Sequence, residues 1–546
     1  MVAMPTYGVQ RQSGRAMAIA LTAEETELCE LLDGFTTHYR QTNPTAEPLT
    51  LRIAGGWVRD KLLGMESHDI DVAIDRMTGY DMAVRLTQFL RQHGHKQHHV
   101  TKIKSNPDKS KHLETATTHL LGLDIDFVNL RSEVYNADSR IPAHQAFGTP
   151  EEDANRRDIT INALFYNIHT RKVEDFTGQG LTDLAQGVIR TPLAAYETFM
   201  DDPLRILRCV RFASRFAFAI EQDIAEAMDK VPIRQALQTK ISRERVGVEV
   251  DKMLRHRHAP HAVERLVHHN LFPLIFTLPT HYQGMTHNHA VAHGIAQTLQ
   301  WLAHPEWLAL LTSSAEAGVV ARELPTLYLS ACLFPYRDVT FTEGKRVFTG
   351  PQYVVREGLK LSNNDMDKCH KVISTYPVIR QLVDRCIPMA PSGDAQWAMQ
   401  RDLGRFIRSV GDLWLPVTVF ALGVDLVPLA LPSALPPSSL QANTQLHQRF
   451  AAYQRLIQFA QDHGLSRCYT WKTLLSGKEV AALLGIRPGP VMGEILDVVM
   501  AWQFNHPMAS VADCRAFVTS DDPQVQALRQ SAQSEPEKPK RRKKSG

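Results

Sequence analysis

The sequence has 546 residues, of which 44% are hydrophobic, and its formal net charge is +3. This is the composition of a globular protein, the length excludes a single ordinary domain, and the small net charge indicates no particular partner. Seven cysteines are scattered without CxxC spacing, which favours a reducing compartment and argues against a zinc module. No apolar run reaches the ~18 residues that a membrane helix needs, so we expect no membrane partner.

The N-terminal residues 1–45 predict a leader followed by a helix. No acidic residue precedes Glu24, and the stretch carries Arg11 and Arg15, a pattern similar to a mitochondrial presequence. A plain disordered leader is the alternative. From Glu24 to Arg40 the apolar residues repeat with the period of an amphipathic helix.

Residues 46–192 predict a mixed α/β domain. The segments LTLRIAGG and HDIDVAID have the pattern of strands, and the short helix VRDKLLG would join them. A further strand is predicted over LGLDIDFVNLR and a β-hairpin over ALFYNIHTRKVEDF. The Lys- and His-rich stretch 97–111 predicts a loop or a hairpin tip. After Pro192 the pattern changes, and helices with a 3.6-residue period dominate.

Two aspartates in the second predicted strand indicate a metal site. Asp69 and Asp71 are two residues apart, so both carboxylates point to one face of a strand. Like charges held so close are unfavourable unless a cation lies between them, and a divalent metal is the natural occupant. We predict that they hold two Mg²⁺ ions, which would bridge a triphosphate and activate an attacking hydroxyl. A surface aspartate pair is the alternative.

The residues before this strand predict a phosphate-binding turn. Gly55 and Gly56 allow the backbone to approach a phosphate closely and to donate N–H groups. Arg59, on the short helix that follows, can fork onto phosphate oxygens. The combination of this turn with the aspartate pair favours a nucleotide site over a simple glycine turn.

Further charged residues downstream complete the predicted site. Asp124 and Asp126 share one face of a strand that could pair beside HDIDVAID, and we take Asp126 as the third catalytic carboxylate. A solvent-facing acid on an edge strand is the alternative, above all for Asp124. In NRRDITINALFYN, Arg157 suits a triphosphate and Asp158 can accept hydrogen bonds from ribose hydroxyls.

The predicted helix over DDPLRILRCVRF carries a charged face. Asp202, Arg205, Arg208 and Arg211 recur every three residues, and the opposite face is apolar. Three arginines on one face repel each other unless they meet an anion, so we expect them to line something negative. A solvated charged face is the alternative.

Asp202 and Arg205 also predict a choice of base. Cytosine and adenine each present an amine donor beside a ring-nitrogen acceptor, which aspartate and arginine can pair with respectively. Uracil and guanine present the reverse order, and each unpaired polar group costs about 1–3 kcal/mol. The pair would therefore accept C and A and refuse U and G.

The motifs GGWVRD…HDIDVAID, NRRDITINALFYN, DFTGQGLTDL, DDPLRILRCVRFASRF and ISRERVGVEVDKML resemble, in order, those of class II tRNA nucleotidyltransferases. These are the CCA-adding enzymes of the DNA polymerase β superfamily. The resemblance implies that Asp69 and Asp71 bind the metal and that Asp202 and Arg205 form an amino-acid template. It also implies that Arg208 and Arg211 support the nucleotide.

The resemblance also implies an architecture. An α/β catalytic head with a polymerase β-like nucleotidyltransferase sheet would be followed by an all-α neck, body and tail. We place the head at 46–192, the neck at 193–270, the body at 271–425 and the tRNA-binding tail at 426–530. Residues 531–546 would form a disordered tail, whose run KPKRRKK (538–544) fits a nuclear-import signal or a nucleic-acid contact.

The predicted function is template-independent CCA addition to tRNA from CTP and ATP, with release of pyrophosphate. A poly(A) polymerase or a CC-adding enzyme on the same scaffold is one alternative, and a non-catalytic tRNA-binding protein is another. The two terminal signals predict a location in cytoplasm, nucleus and/or mitochondrion. The sequence leaves the oligomeric state open.

Overall fold

The computed structural model describes residues 19–94, 100–103, 115–134, 142, 144–279, 282, 288–386, 393–429, 440, 443–487, 489 and 491–534. Most of the predicted leader, the basic run 538–544 and much of the stretch 97–111 lie outside these residues. The chain divides into two compact units, Met1–Thr286 with Tyr353–Leu361, and His287–Gln352 with Ser362–Gly546. The finer predicted division into head, neck, body and tail stays a prediction.

A seven-stranded sheet forms the centre of the first unit. In spatial order its strands are β3 (Val100–Ile103), β4 (Thr115–Leu120), β5 (Leu123–Asn129), β2 (Asp69–Ile74), β1 (Leu51–Ala54), β8 (Leu164–Asn167) and β9 (Lys172–Asp175). β2 and β5 run parallel, and the other neighbouring pairs are antiparallel. The predicted strands and the predicted hairpin are confirmed. A separate pair joins β6 (Arg131–Val134) to β7 (His144–Phe147).

Five helices among the described residues accompany the sheet. They are α1 (Ala23–Thr42), α2 (Gly56–Leu62), α3 (Gly79–Gln92), α4 (Pro150–Asn155) and α5 (Gly180–Gln186). α1 starts with a capping box between Thr22 and Glu25, as expected for the helix predicted from residue 24. Glu25 also accepts a hydrogen bond from the indole of Trp57 at 3.1 Å and pairs with Lys61 at 2.7 Å. α1 therefore supports α2, the helix that follows the glycine turn.

The remainder of the first unit is helical, as predicted. It contains α6 (Ala195–Asp201), α7 (Leu204–Phe216), α8 (Gln222–Met228), α9 (Val231–Lys240), α10 (Arg243–Leu254), α11 (Ala259–His268) and α12 (Phe272–Ile275). Two short strands, β10 (Val188–Ile189) and β11 (Ala219–Ile220), pair in parallel. α7 is amphipathic, because Ile206, Leu207 and Val210 are fully buried beside the charged positions.

The segment Tyr353–Leu361 returns to the first unit and packs on α10. A Cβ added to Gly247 would lie 1.8 Å from the backbone oxygen of Leu359, so only glycine fits there. The guanidinium of Arg243 donates to the backbone oxygens of Gly358, at 2.5 Å, and Leu274, at 3.0 Å. These contacts fix the position of α10.

The second unit is mainly helical. Its elements are α13 (Ala290–Leu302), α14 (Pro305–Leu311), α15 (Ser314–Leu333), β12 (Thr340–Glu343), β13 (Arg346–Thr349), α16 (Gly350–Tyr353), α17 (Asn363–Asp384), α18 (Asp394–Val410), α19 (Trp414–Leu426), α20 (Thr444–Asp462), α21 (Gly477–Leu484), α22 (Val491–Asn505), α23 (Val511–Val518) and α24 (Pro523–Ser534). The last residue of α16 already belongs to the first unit. The last four helices share a hydrophobic cluster that includes Leu475, Ile495, Val499 and Val525.

One stretch of the second unit is more apolar than expected. Within Asp394–Leu429 a helical window of mean hydropathy 1.7 is long and apolar enough to cross a membrane. The expectation that no stretch reaches this length and apolarity is therefore wrong by this criterion. However, 78% of the window is buried inside the protein, so packing in the core accounts for its apolar character.

Candidate active site

The glycine turn between β1 and α2 brings the backbone close to an arginine. Gly55 has φ +75° and ψ −121°, a conformation that favours glycine. A Cβ added there would lie 2.7 Å from Nη1 of Arg157. That guanidinium donates to the backbone oxygen of Asn162 at 2.9 Å and pairs with Asp153 at 2.8 Å. The glycine turn therefore lies next to Arg157 of the segment Arg156–Asp158 (the RRD segment), as expected if both belong to one site.

The acidic residues of the parallel strands β2 and β5 lie side by side in the sheet. Asp71 lies opposite Asp126 in the strand register, and Asp69 lies opposite Asp124. Burial raises the pKa of Asp71 to about 6, and the negative charge of Asp69 adds to the increase. Arg157 and Arg131 act in the opposite direction. A bound cation would relieve this repulsion, so the Asp69–Asp71 pair fits a divalent metal.

Asp126 lies beside Asp71 in the strand register, and its negative charge also adds to the rise in the pKa of Asp71. Its Oδ1 accepts a hydrogen bond of 2.5 Å from the hydroxyl of Thr117 on β4. Among the described residues, no group of three or more His, Cys, Asp and Glu side chains is arranged to hold a metal. Asp124 is exposed and contacts His119 at 2.8 Å, as its solvent-facing alternative suggested. Asp69 and Asp71 stay the candidate metal ligands, and Asp126 stays the candidate third carboxylate.

Arg59 occupies a different environment from the one expected. Its guanidinium pairs with Asp60 at 2.7 Å and donates to the side chain of Asn162. It also stacks on the rings of Phe212 and Phe216, with centroids at 5.0 and 4.9 Å. Only 4% of the side chain is exposed, so Arg59 joins α2 to α7 here, and a phosphate contact would require it to exchange partners.

Asp158 is buried against Arg208. Nε of Arg208 lies 2.7 Å from Oδ2 of Asp158, and the amide of Asn162 donates to Oδ1 at 3.1 Å. Burial acts to raise the pKa of Asp158, but Arg208 and Asn162 overcome it, and the pKa lies at about 2. The same pair raises the pKa of Arg208 above its ordinary value. Arg208 keeps 34% of its side chain exposed, so it is the more accessible partner.

Two of the three arginines on α7 pair with carboxylates of the protein itself. Arg211 pairs with Glu249 of α10 at 2.6 Å, and Arg208 pairs with Asp158. The expectation that these arginines line something negative is thus met by two carboxylates of the same chain. Asp202, predicted on the same helix face, instead lies between α6 and α7, because α7 begins only at Leu204. It pairs with Arg245 of α10 at 2.7 Å.

Arg205 connects α7 to the RRD segment. Its Nη2 donates to the backbone oxygen of Arg156 at 2.5 Å. Arg156 is the neighbour of Arg157, which lies against the glycine turn. The base-reading candidates and the phosphate-binding candidates therefore belong to one hydrogen-bonded framework.

The sequence interpretation missed the acidic residues that hold this framework. Asp153 is buried and accepts from both Arg156 and Arg157, which keeps its pKa at about 2 even though burial alone would raise it. Glu133 pairs with Arg156 at 3.4 Å and with Arg131 at 3.5 Å. The four-residue spacing of Asp153 and Arg157 was a signal that could have indicated this pairing.

Comparisons with known proteins show the family of the chain. Residues 51–190 match the poly A polymerase head domain, and residues 217–282 match the probable RNA and SrmB-binding site of polymerase A. The chain is 38% identical to the mitochondrial CCA tRNA nucleotidyltransferase of Saccharomyces cerevisiae, with 90% of this chain and 92% of the relative covered. For the enzyme of the same name from Candida glabrata the identity is 37%, and the covered shares are 92% and 96%.

A solved structure is similar in fold to most of the chain. The structure of a CCA-adding enzyme in its apo form II aligns with a TM-score of 0.59 at 18% identity and covers 94% of this chain and 96% of its own. The α/β head followed by helices is therefore an architecture found in solved structures, as predicted. The charged positions of α7 lie between the two matched regions, whereas Arg245 and Glu249 lie in the second.

Proposed function

This chain belongs to the CCA tRNA nucleotidyltransferase family, and from that premise we propose that it adds C, C and A to the 3′ end of tRNA. CTP and ATP are its substrates, pyrophosphate is released, and no nucleic-acid template is used. The observation that carries the proposal is the hydrogen bond from Arg205 to the backbone of Arg156. It supports a site in which one framework holds both the base and the triphosphate.

The phosphate side of the site is formed by the glycine turn, Arg157 and the aspartate pair. Enzymes of this family generally use a divalent metal, and we propose that Asp69 and Asp71 hold two Mg²⁺ ions. When bound, Mg²⁺ would supply charge neutralisation at the triphosphate and activation of the tRNA 3′-hydroxyl. Arg157, already fixed by Asp153, would bind the phosphates, and the backbone at Gly55 and Gly56 would approach them.

The base side of the site is formed by α7 and by Asp202, which lies just before it. Asp202 would accept from the exocyclic amine of C or A, and Arg205 would donate to the adjacent ring nitrogen. Arg208 would reach the nucleotide with its exposed part, while the buried Asp158 keeps it oriented. Arg211 would support the same face through its pair with Glu249.

The tRNA would contact the helical part of the chain through its backbone and shape rather than its sequence. The relatives that carry the word mitochondrial in their names support a mitochondrial location for this chain too. We propose the mitochondrion as one location, with the nucleus and the cytoplasm as further ones.

The test is incorporation of each labelled nucleotide into a tRNA that lacks its last three residues, with and without Mg²⁺. Addition of C, C and A followed by arrest, dependent on Mg²⁺ and abolished in Asp71→Asn, is the expected result. Long A tracts without C would indicate a poly(A) polymerase, and arrest after two C residues would indicate a CC-adding enzyme. No incorporation would favour a non-catalytic tRNA-binding protein.

A further inference from the structure

Helix α10 contacts the base-reading residue Asp202, two residues before α7, through a forked ion pair. Nη2 of Arg245 lies 2.7 Å from Oδ2 of Asp202, and Nη1 lies 3.3 Å from Oδ1. We propose that Arg245 is a positioning residue that fixes the Asp202 carboxylate and thereby determines the choice of base. This proposal rests on the proposed function and names a residue outside the template itself.

The hydrogen bonds of Asp202 distinguish its two oxygens. Oδ1 accepts from Arg245 and from the backbone N–H of Leu204 at 3.2 Å, so both of its lone pairs are used. Within the described part of the chain, Arg245 is the only donor to Oδ2. One acceptor position therefore remains on Oδ2, which matches the one amine hydrogen that cytosine or adenine presents beside its ring-nitrogen acceptor.

A second ion pair fixes the register of the two helices. Glu249 lies four residues after Arg245 on α10, so both side chains share one face. Its carboxylate is 2.6 Å from Nε of Arg211 and 3.9 Å from Nη1 of Arg208. A cation and an anion on α10 thus meet the anion just before α7 and the cations on α7, and sliding either helix by one turn would bring like charges together.

The anchoring of α10 makes this geometry rigid. Gly247, between the two charged residues, touches the backbone of Leu359, and Arg243 is bound to the backbone oxygen of Gly358. Because α10 is held on its opposite side, Arg245 has a fixed position. Its two hydrogen bonds then fix the orientation of the Asp202 carboxylate. Without the fork, the carboxylate keeps only the Leu204 contact and can rotate to present an oxygen elsewhere.

The experiment measures kcat/KM for CTP, ATP, UTP and GTP on tRNA acceptors, for wild type, Arg245→Gln and Arg245→Lys. For Arg245→Gln we expect the ratio of kcat/KM for CTP to that for UTP to fall at least tenfold, because the refusal of U depends on a fixed acceptor. Arg245→Lys, which keeps the charge but not the fork, should recover only part of the ratio.

The matched control is Arg255→Gln, at the end of the same helix, where the side chain is exposed and pairs with Asp251. It should keep the wild-type ratio. If Arg245→Gln slows all four nucleotides by one common factor, Arg245 is merely structural and the inference is wrong. If wild type itself does not add CCA, the proposed function fails instead, so the two failures are distinguishable.

Discussion

Replacing Gly55 by alanine tests whether the turn before α2 exists to bring the backbone close to Arg157. The new Cβ would lie 2.7 Å from Nη1 of Arg157 and 3.4 Å from the backbone oxygen of Asn162. Since the first distance is too short for a stable contact, the guanidinium must move away from Asn162 and Asp153. The variant therefore changes both the backbone and the phosphate-binding arginine.

Two effects of different size follow. A non-glycine residue at φ +75° and ψ −121° costs about 1–3 kcal/mol in the free energy of unfolding. For a unit of this length, that corresponds to a fall in Tm of roughly 2–6 °C. Displacement of Arg157 acts on the nucleotide instead, and loss of one charge-assisted hydrogen bond to phosphate, about 1.5–3 kcal/mol, raises KM by roughly tenfold or more.

The assay combines thermal unfolding with KM for CTP and ATP. Gly64→Ala is the control, because Gly64 also has a positive φ, +71°, but nothing lies within 4 Å of the added Cβ. It should lower Tm and leave KM unchanged. If Gly55→Ala lowers Tm by the same amount as the control and keeps a wild-type KM, the turn is not built around Arg157.

Three further predictions follow from the charged groups. Asp71→Asn should reduce kcat at least a hundredfold while keeping the circular dichroism spectrum of wild type, and a variant of near-normal rate would exclude a metal role for this residue. Arg208→Met leaves Asp158 buried without its cation and should lower the free energy of unfolding by about 3–5 kcal/mol, measured in urea; a loss under 1 kcal/mol would contradict the pairing. The folded pKa of Asp158 is about 2 against an ordinary 3.8, so its contribution, on the order of 2 kcal/mol, is present above pH 3.8 and lost as pH falls through 2. The stability difference between wild type and Asp158→Asn should therefore shrink over that range, and a constant difference would refute it.

The local elements of the first unit could be predicted from the sequence because their signals are short-range. The alternation in HDIDVAID and the glycine pair before VRDKLLG specify β2, the turn and α2 within a few residues. The pairing of β2 with β5 was predicted because it would bring a second pair of aspartates beside the first. The observed register, with Asp71 opposite Asp126, agrees with this prediction.

The partners of the charged side chains could not be predicted in the same way. Glu249 lies 38 residues after Arg211 and Arg245 lies 43 residues after Asp202, the residues that they bind, and no local pattern links them. The contact of Thr117 with Asp126 likewise depends on how β4 pairs with β5. A pattern of charges indicates that a counter-charge is needed, but whether a ligand or the protein supplies it depends on the tertiary structure.

The return of Tyr353–Leu361 to the first unit has a consequence for how this protein could be divided or recombined. A gene fragment that ends at residue 286 would encode the sheet and α10. It would lack the segment Tyr353–Leu361, which Gly247 and Arg243 contact. The first unit is therefore not a transferable module, and a graft of the catalytic part onto another protein would need those nine residues supplied from elsewhere in the chain. Mixing the fragment with a synthetic peptide of that segment is a direct way to rebuild it.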